Sequence, residues 1–233
     1  KPDFDINNPV FNLPFRSKGK GVVGREQVLQ ELRTQLVSGQ QTSIGHAASF
    51  NGMGGLGKTQ LAVEYAYRYR NEYPNGVMWI AADQDISTQL ITMANNAKWF
   101  SPHLETTDLL AKAREKLQNS SGCLIIFDNV ESKEQIQDYL PNINAAPHLL
   151  ITSRMNTIGG FTVLPLTLLS DEESVELLLK EANREHLKLS DEDKRVCQDI
   201  VETLGHLPLA IELAVAYLKR LSSVTFANYK TLL

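Results

Sequence analysis

Residues 52–59 read Gly-Met-Gly-Gly-Leu-Gly-Lys-Thr, which fits the pattern G-x-x-x-x-G-K-[ST] at every position. Each residue type there answers a need of polyphosphate binding. Gly52, Gly54, Gly55 and Gly57 let successive backbone N–H groups converge on phosphate oxygens without Cβ clashes. Lys58 supplies a compact positive charge to the β- and γ-phosphates, and the Thr59 hydroxyl can ligate Mg²⁺. A helix starting at this point adds its dipole, and Leu56 and Gln60 complete the set read as nucleotide-binding. The alternative is a flexible glycine turn with an exposed lysine.

Magnesium needs a second anchor. The run Leu124-Ile125-Ile126-Phe127 ends in Asp128, a carboxylate at the C-terminal edge of a buried strand, where P-loop NTPases hold the metal. The alternative is a strand-ending Asp that caps a turn. The next residue, Asn129, can orient an attacking water but cannot take its proton, so binding is expected to survive this residue and fast turnover is not. Arg154 follows the strand ending in Thr152-Ser153. From that edge a guanidinium can read a γ-phosphate with two parallel hydrogen bonds, or it can form a surface ion pair. No N-K-x-D segment is present to read guanine, which favours adenine. Lys58, Asp128, Asn129 and Arg154 are thus the candidates for chemistry, with Thr59 and Asp128 as the metal pair.

These residues must be held by alternating strands and helices. Ala47–Phe50 reads as the strand before the glycine loop, and Leu61, Ala62, Tyr65, Ala66 and Tyr69 form a helical stripe after it. Val77–Ile80, Cys123–Phe127 and His148–Thr152 read as further strands, the second apolar enough to be buried on both faces of a parallel sheet. Helices are expected over roughly 86–100, 108–118 and 133–140. The fold class is therefore α/β: a P-loop NTPase parallel sheet sandwiched by helices, followed by a small helical domain. That second part begins with the capping boxes Ser170-Asp171-Glu172-Glu173 and Ser190-Asp191-Glu192-Asp193. It ends in a helix with a stripe of Leu209, Leu213, Tyr217 and Leu221. The expected division is a linker over 1–20, the nucleotide-binding domain over 21–165 and the helical domain over 166–233.

The 233 residues suffice for a core domain plus a small one. The net charge of -4 gives no electrostatic reason to expect nucleic-acid binding by this segment. No apolar run is long enough to cross a bilayer, no secretory leader opens the chain, and Cys123 and Cys197 read as buried thiols of a reducing compartment. A cytoplasmic fragment of a longer protein is the expectation.

Taken in order, Val23-Gly24-Arg25-Glu26, the loop Gly52–Thr59, Leu124–Asn129, Leu149–Arg154 and Gly205-His206-Leu207-Pro208-Leu209 resemble the motifs of NB-ARC ATPases. These belong to the STAND class of signalling NTPases, related to the AAA+ fold, and the resemblance spans roughly Phe11 to Leu221. It implies that Val23 and Arg25 line an adenine pocket, that Pro208 packs on the base and that Arg154 senses the γ-phosphate. By residue type alone, Arg25-Glu26 can equally start an exposed helix and Pro208 can simply begin one. The resemblance further implies ATP and ADP with Mg²⁺ as ligands, slow hydrolysis and nucleotide-controlled self-association in the full-length protein. Effector and sensor domains, including a winged-helix module, would lie outside this fragment. Two other functions compete: the ATPase module of a transcription regulator, and an ATP-dependent small-molecule kinase. A kinase calls for an acceptor-binding base and a lid, and the sequence shows no clear candidate for either.

Overall fold

The apolar runs that end near Ala81, Val130 and Ser153 become the centre of one sheet. The computed structural model describes residues 5–18, 22–46, 54–141, 147–155, 157–184, 190–220 and 225–233. Strands β1 (Val10–Phe11), β2 (Thr42–His46), β3 (Gly76–Ala81), β4 (Leu124–Val130), β5 (His148–Ser153) and β6 (Thr162–Leu166) lie in the order β1-β3-β4-β5-β2-β6. The pairs β1–β3, β3–β4, β4–β5 and β2–β5 are parallel. Val77 stands opposite Leu124, Leu124 opposite His148, and Thr42 opposite Leu150. Parallel strands share one C-terminal rim, so the segments that leave β2, β3, β4 and β5 emerge on the same side of the sheet. The inserted β5 separates the strand leading to the glycine loop from the strand carrying Asp128. The strand expected over Ala47–Phe50 lies outside the described residues; β2 runs just before it.

Both faces of the sheet are covered, as the unbroken apolar runs require. Helix α2 (Lys58–Arg68) follows the loop and buries Leu61, Ala62, Tyr65 and Ala66. Helices α3 (Ile86–Asn96) and α4 (Thr106–Asn119) set Leu90, Met93, Leu109 and Leu117 against Ile80, Ile125, Phe127 and Ile151. Asp85 caps α3 by accepting from the Thr88 N–H. Helix α1 (Glu26–Val37) buries Leu29, Leu32 and Leu36. The helix expected over 133–140 is instead two single turns of 3-10 helix, Lys133–Gln135 and Gln137–Tyr139. Pro141 explains why the second turn ends where it does, because the residue before a proline is pushed out of the helical region and Leu140 is extended (ψ 142°). Near the N-terminus Asn12 imitates a strand partner with its side chain, donating to the Trp79 carbonyl at 2.8 Å and accepting from the Trp79 N–H at 2.7 Å.

From Asp171 onward the described residues are helical: α5 (Asp171–Glu181), α6 (Asp191–Thr203), α7 (Pro208–Arg220) and α8 (Phe226–Lys230). Both expected capping boxes are present, Ser170 with Glu173 and Ser190 with Asp193. Their core gathers Leu177, Leu178, Cys197, Ile200, Ile211, Val215 and Leu218. Helix α7 differs from its sequence reading. Leu209, Leu213 and Tyr217 are exposed, Leu221 lies outside the described residues, and Ile211, Ala214, Val215 and Leu218 face the core. A helix apolar on nearly every side does not declare which stripe faces inward. Cys123 and Cys197 are buried free thiols, each pushed up to about 11 by burial.

The chain forms two compact units. The first comprises Lys1–Ser17, Val28–Gly52 and Lys58–Pro165, and the second Lys18–Gln27, Met53–Gly57 and Leu166–Leu233. No helix of the described residues is long and apolar enough to cross a membrane.

Candidate functional site

In the first unit the chemistry collects where α2 begins above the ends of β4 and β5. Thr59, in the first turn of α2, donates its hydroxyl to Asp128 Oδ1 at 2.9 Å, and Thr152 of β5 donates to the same oxygen at 2.6 Å. Burial pushes the Asp128 carboxyl above its ordinary range, and nearby Asp83 adds to this; the two hydroxyls and the Asn129 N–H oppose it. Asp128 Oδ2 takes part in neither hydroxyl bond.

Lys58 is half-buried. Burial is the main reason its ammonium is lowered to about 8; the Arg154 charge adds to the effect and Asp128 opposes it. Arg154 itself is exposed, directly after β5. Two cations therefore act on each other beside one half-buried carboxylate, and an anion placed between them would relieve that repulsion. Gln60, the remaining expected contact in this unit, donates to Glu64 Oε1 at 2.7 Å. Glu64 is buried and also accepts from Ser17 at 2.6 Å.

Asn129 occupies a β-bulge. Phe127 stands opposite Ile151 and Val130 opposite Ser153, so Asp128 and Asn129 together face Thr152 alone. The extra residue is left-handed (φ 62°), a conformation that asparagine tolerates better than most non-glycine residues. Its N–H donates to Thr152 Oγ1 at 2.9 Å, and its side-chain Nδ2 donates to Asp83 Oδ2 at 3.1 Å. Sequence reasoning assigned no role to Thr152 or Asp83, yet both carried a signal. Thr152 interrupts an otherwise apolar strand, and Asp83 follows the apolar β3 much as Asp128 ends the apolar β4.

The remaining expected site residues, Gly52 apart, lie in the second unit. Gly52 is outside the described residues, as is Met53. Gly54 is exposed, Gly55 and Gly57 have φ near 90° (87° and 88°), and Leu56 is buried. The left-handed backbone at Gly55 and Gly57 is what glycine permits and other residues resist. Arg25 is buried and donates to the carbonyls of Thr167 at 2.9 Å and Leu56 at 3.4 Å, which anchors the loop to the strand end before α5. Burial lowers its guanidinium from the ordinary value, and Glu173 partly restores it. Gly24 is left-handed (φ 69°), a backbone that other residues resist, so the turn that delivers Arg25 needs glycine. Val23 packs into the helical core. Pro208 opens α7 after the left-handed pair Gly205 and His206 (φ 64° and 55°), where its missing N–H costs nothing. The Leu209 N–H then donates to the Gly55 carbonyl at 3.3 Å.

The sequence model of the NB-ARC domain matches residues 25–188. The chain belongs to the NB-ARC family. Among curated relatives, the regulatory protein AfsR of Streptomyces griseus is 26% identical over 84% of this chain and 20% of AfsR. A nucleotide-binding leucine-rich repeat (NLR)-like protein of Hyaloscypha variabilis is 25% identical over 94% of the chain and 24% of its own length. The putative disease resistance protein RGA4 of Solanum bulbocastanum is 27% identical over 68% of the chain and 17% of its own length. The NB-ARC chain thus spans about a fifth to a quarter of the AfsR and NLR-like relatives. Among solved structures, domain III of the Thermotoga maritima replication initiation protein DnaA superposes with a TM-score of 0.54, 17% identity, and coverage of 100% of this chain and 96% of that one. A Walker-type ATPase of Pyrococcus abyssi gives 0.55 at 11% identity, over 94% of this chain and 74% of that one. At such identity these two establish the P-loop α/β fold of the NB-ARC chain and nothing finer.

Proposed function

We propose that this NB-ARC module is an ATP/ADP-operated switch of a larger signalling protein, one that holds its nucleotide and hydrolyses it slowly. The observation that carries the reading is the convergence of Lys58 and Thr59 on Asp128 where α2 meets the ends of β4 and β5, with Arg154 near enough to act on Lys58. ADP and ATP differ by the γ-phosphate, and Lys58 and Arg154 are the charges that would register it. A switch requires unequal affinity of the two nucleotides for its two states, since equal affinity shifts nothing.

The donor set suits magnesium. Thr59 Oγ1 and Asp128 Oδ1 are hard oxygen donors 2.9 Å apart, and among the described residues no cluster of three His, Cys, Asp or Glu side chains would hold a metal on its own. That matches an ion bound largely through the phosphates with one or two protein oxygens. Bound there, magnesium would neutralise charge on the transferring phosphoryl group. The protein's own parts are then distinct: Lys58 holds the phosphates, Thr59 and Asp128 anchor the ion, Arg154 senses the γ-phosphate, and Asn129 orients water without taking its proton. The glycines of the loop, with Leu56 and Gln60, would offer backbone N–H groups to phosphate, and Val23, Arg25 and Pro208 are proposed to hold the adenine.

Replacing Lys58 by Ala tests the reading. Calorimetric titration with ATP and ADP should show affinity reduced about a hundredfold or more, the scale of removing a charge-assisted contact to phosphate. Unchanged affinity would refute the site. Self-association under nucleotide control, a cytoplasmic location and effector or sensor domains elsewhere in the protein belong to the same proposal. Light scattering of the full-length protein with ADP and with a non-hydrolysable ATP analogue tests the first of these.

A further inference from the structure

The bulge at Asn129 puts a carboxamide where a water-activating acid would stand, and it also ties that carboxamide to a carboxylate on the neighbouring strand end. Asn129 Nδ2 donates to Asp83 Oδ2 at 3.1 Å. Asp83 is not placed there by a loose loop. The Ala82 N–H donates to the Asp128 carbonyl at 2.7 Å, which fixes the backbone just before Asp83 to the backbone just before Asn129. On its other side the Asn129 N–H is bound to Thr152 Oγ1. The side chain is therefore held from two strands, β5 through its backbone and β3 through its amide.

A carboxylate only accepts hydrogen bonds, so it selects one end of an amide. With Nδ2 held by Asp83, Oδ1 is the end turned away from it. We propose that Asp83 is a positioning residue for ATP hydrolysis, holding the Asn129 carboxamide so that Oδ1 accepts a hydrogen bond from the attacking water. This rests on the nucleotide-switch reading of the same site. In the step itself the water oxygen bonds to the γ-phosphorus, and the bond from that phosphorus to the β,γ-bridging oxygen breaks, its electron pair leaving on ADP. One water proton stays on the new oxygen. The other, which Asn129 cannot accept, passes to a γ-phosphate oxygen, giving ADP and dihydrogen phosphate. The division of labour accounts for slow turnover: the water is aligned by a carboxamide that cannot take its proton.

The test is a double-mutant cycle on single-turnover hydrolysis of bound ATP, with ATP and ADP affinities measured in parallel and folding checked by thermal unfolding. Asp83→Ala should slow hydrolysis about tenfold to a hundredfold, the scale of misplacing a reacting group, with both affinities within about twofold of wild type. Asn129→Ala should fall to a similar rate, and adding Asp83→Ala to it should change nothing more. Asp83→Asn, which still offers an oxygen to Nδ2 but no longer selects the amide's orientation, should lie between wild type and Asp83→Ala. A wild-type rate in Asp83→Ala overturns the inference, and so does a further fall when Asp83→Ala is added to Asn129→Ala. A wild type that binds ATP and never hydrolyses it overturns the inference and leaves the switch standing. A wild type that binds no nucleotide removes both.

Discussion

At the N-terminal end of β5 lies a polar network very different from the one around Asp128, though both belong to the same unit and touch the same helix. There Arg33 Nη1 donates to the Tyr65 hydroxyl at 3.4 Å, Tyr65 and Tyr73 bond through their hydroxyls at 3.0 Å, and the Tyr73 hydroxyl meets His148 Nδ1 at 2.8 Å. Arg33 can only donate, so Tyr65 accepts from it, while the Tyr65–Tyr73 and Tyr73–His148 contacts each join two groups that can give or take a proton, the latter according to the imidazole tautomer. Burial, with Arg33 adding to it, lowers the His148 pKa, and burial pushes the Tyr73 phenol far up, which favours the uncharged form of both rings. Tyr65, Tyr73 and His148 are each partnered within the network. Around Asp128 the arrangement differs. Two hydroxyls are drawn onto one carboxylate oxygen and a backbone N–H onto one of those hydroxyls, the carboxyl is pushed up by burial, a lysine is lowered to about 8, and an asparagine is left-handed. One end of the sheet is a finished structure. The other carries unfavourable charge states and backbone geometry that a ligand can use.

That difference is testable by substitutions of similar size at the two ends. Asp128→Asn should weaken magnesium-dependent ATP binding about a hundredfold, the upper range for disturbing a metal's protein partners, while leaving unfolding stability equal or slightly raised. The sign follows from the linkage. The folded-state pKa of Asp128 is raised, so its charged form is disfavoured by folding; that cost is absent below its unfolded pKa and fully present above the folded one. Asparagine removes the cost at neutral pH. Tyr73→Phe should do the reverse. It leaves Tyr65 and His148 each one partner short inside the protein, at a cost of about 1–3 kcal/mol in denaturant unfolding, with ATP affinity unchanged. A loss of ATP affinity in Tyr73→Phe comparable to that in Asp128→Asn would abolish the distinction between the two ends.

A smaller effect separates the ends by pH. Lys58 is lowered to about 8 in the free protein, and phosphate beside it would restore the pKa toward the ordinary lysine value. The bound form then holds more protons above pH 8, so binding takes up a proton and affinity drops as pH rises, about tenfold from pH 7 to pH 9. Calorimetry at pH 8 in two buffers of different ionisation enthalpy measures the uptake directly. An uptake of zero would mean that Lys58 does not meet phosphate.

Much of this was legible in the residues themselves. Unbroken apolar runs ending in Asp128 and in Thr152-Ser153 announce buried parallel strands with polar C-terminal edges, and Ser170 and Ser190 announce their helices through short-range hydrogen bonds. What stayed hidden depends on pairing between distant segments. Nothing local to Asn129 says that it sits in a bulge, because a bulge exists only against the register of β5. Nothing local to Asp83 says that β3 will lie beside β4. Helix α7 failed for a different reason: Leu209, Leu213 and Tyr217 form as good a stripe as Ile211, Val215 and Leu218, and only packing against α5 and α6 chooses between them. The helical periodicity over 133–140 ends at Leu140, which Pro141 holds extended, and the break at Ile136 has no such local signal.

Thr152 gives the finest probe of the comparison, because one hydroxyl joins the two halves of the site: it accepts from Asn129 and donates to Asp128. Thr152→Val keeps the shape and removes both bonds. The Asn129 N–H is left without its acceptor at the bulge, which should cost about 1 kcal/mol or somewhat more in unfolding stability. Asp128 loses one of the two hydroxyls that stabilise its charged form, so its pKa rises further. The carboxylate still accepts from Thr59, so magnesium-dependent ATP affinity should weaken only about threefold at pH 7.5. The loss should deepen as pH falls, because the valine variant protonates Asp128 at a higher pH than wild type does. Affinities measured at pH 7.5 and pH 5.5 in both proteins read this directly. A variant whose deficit is the same at the two values would show that Thr152 holds the bulge in shape without tuning Asp128, and the charge at this end of the sheet would then be set by burial and Thr59 alone.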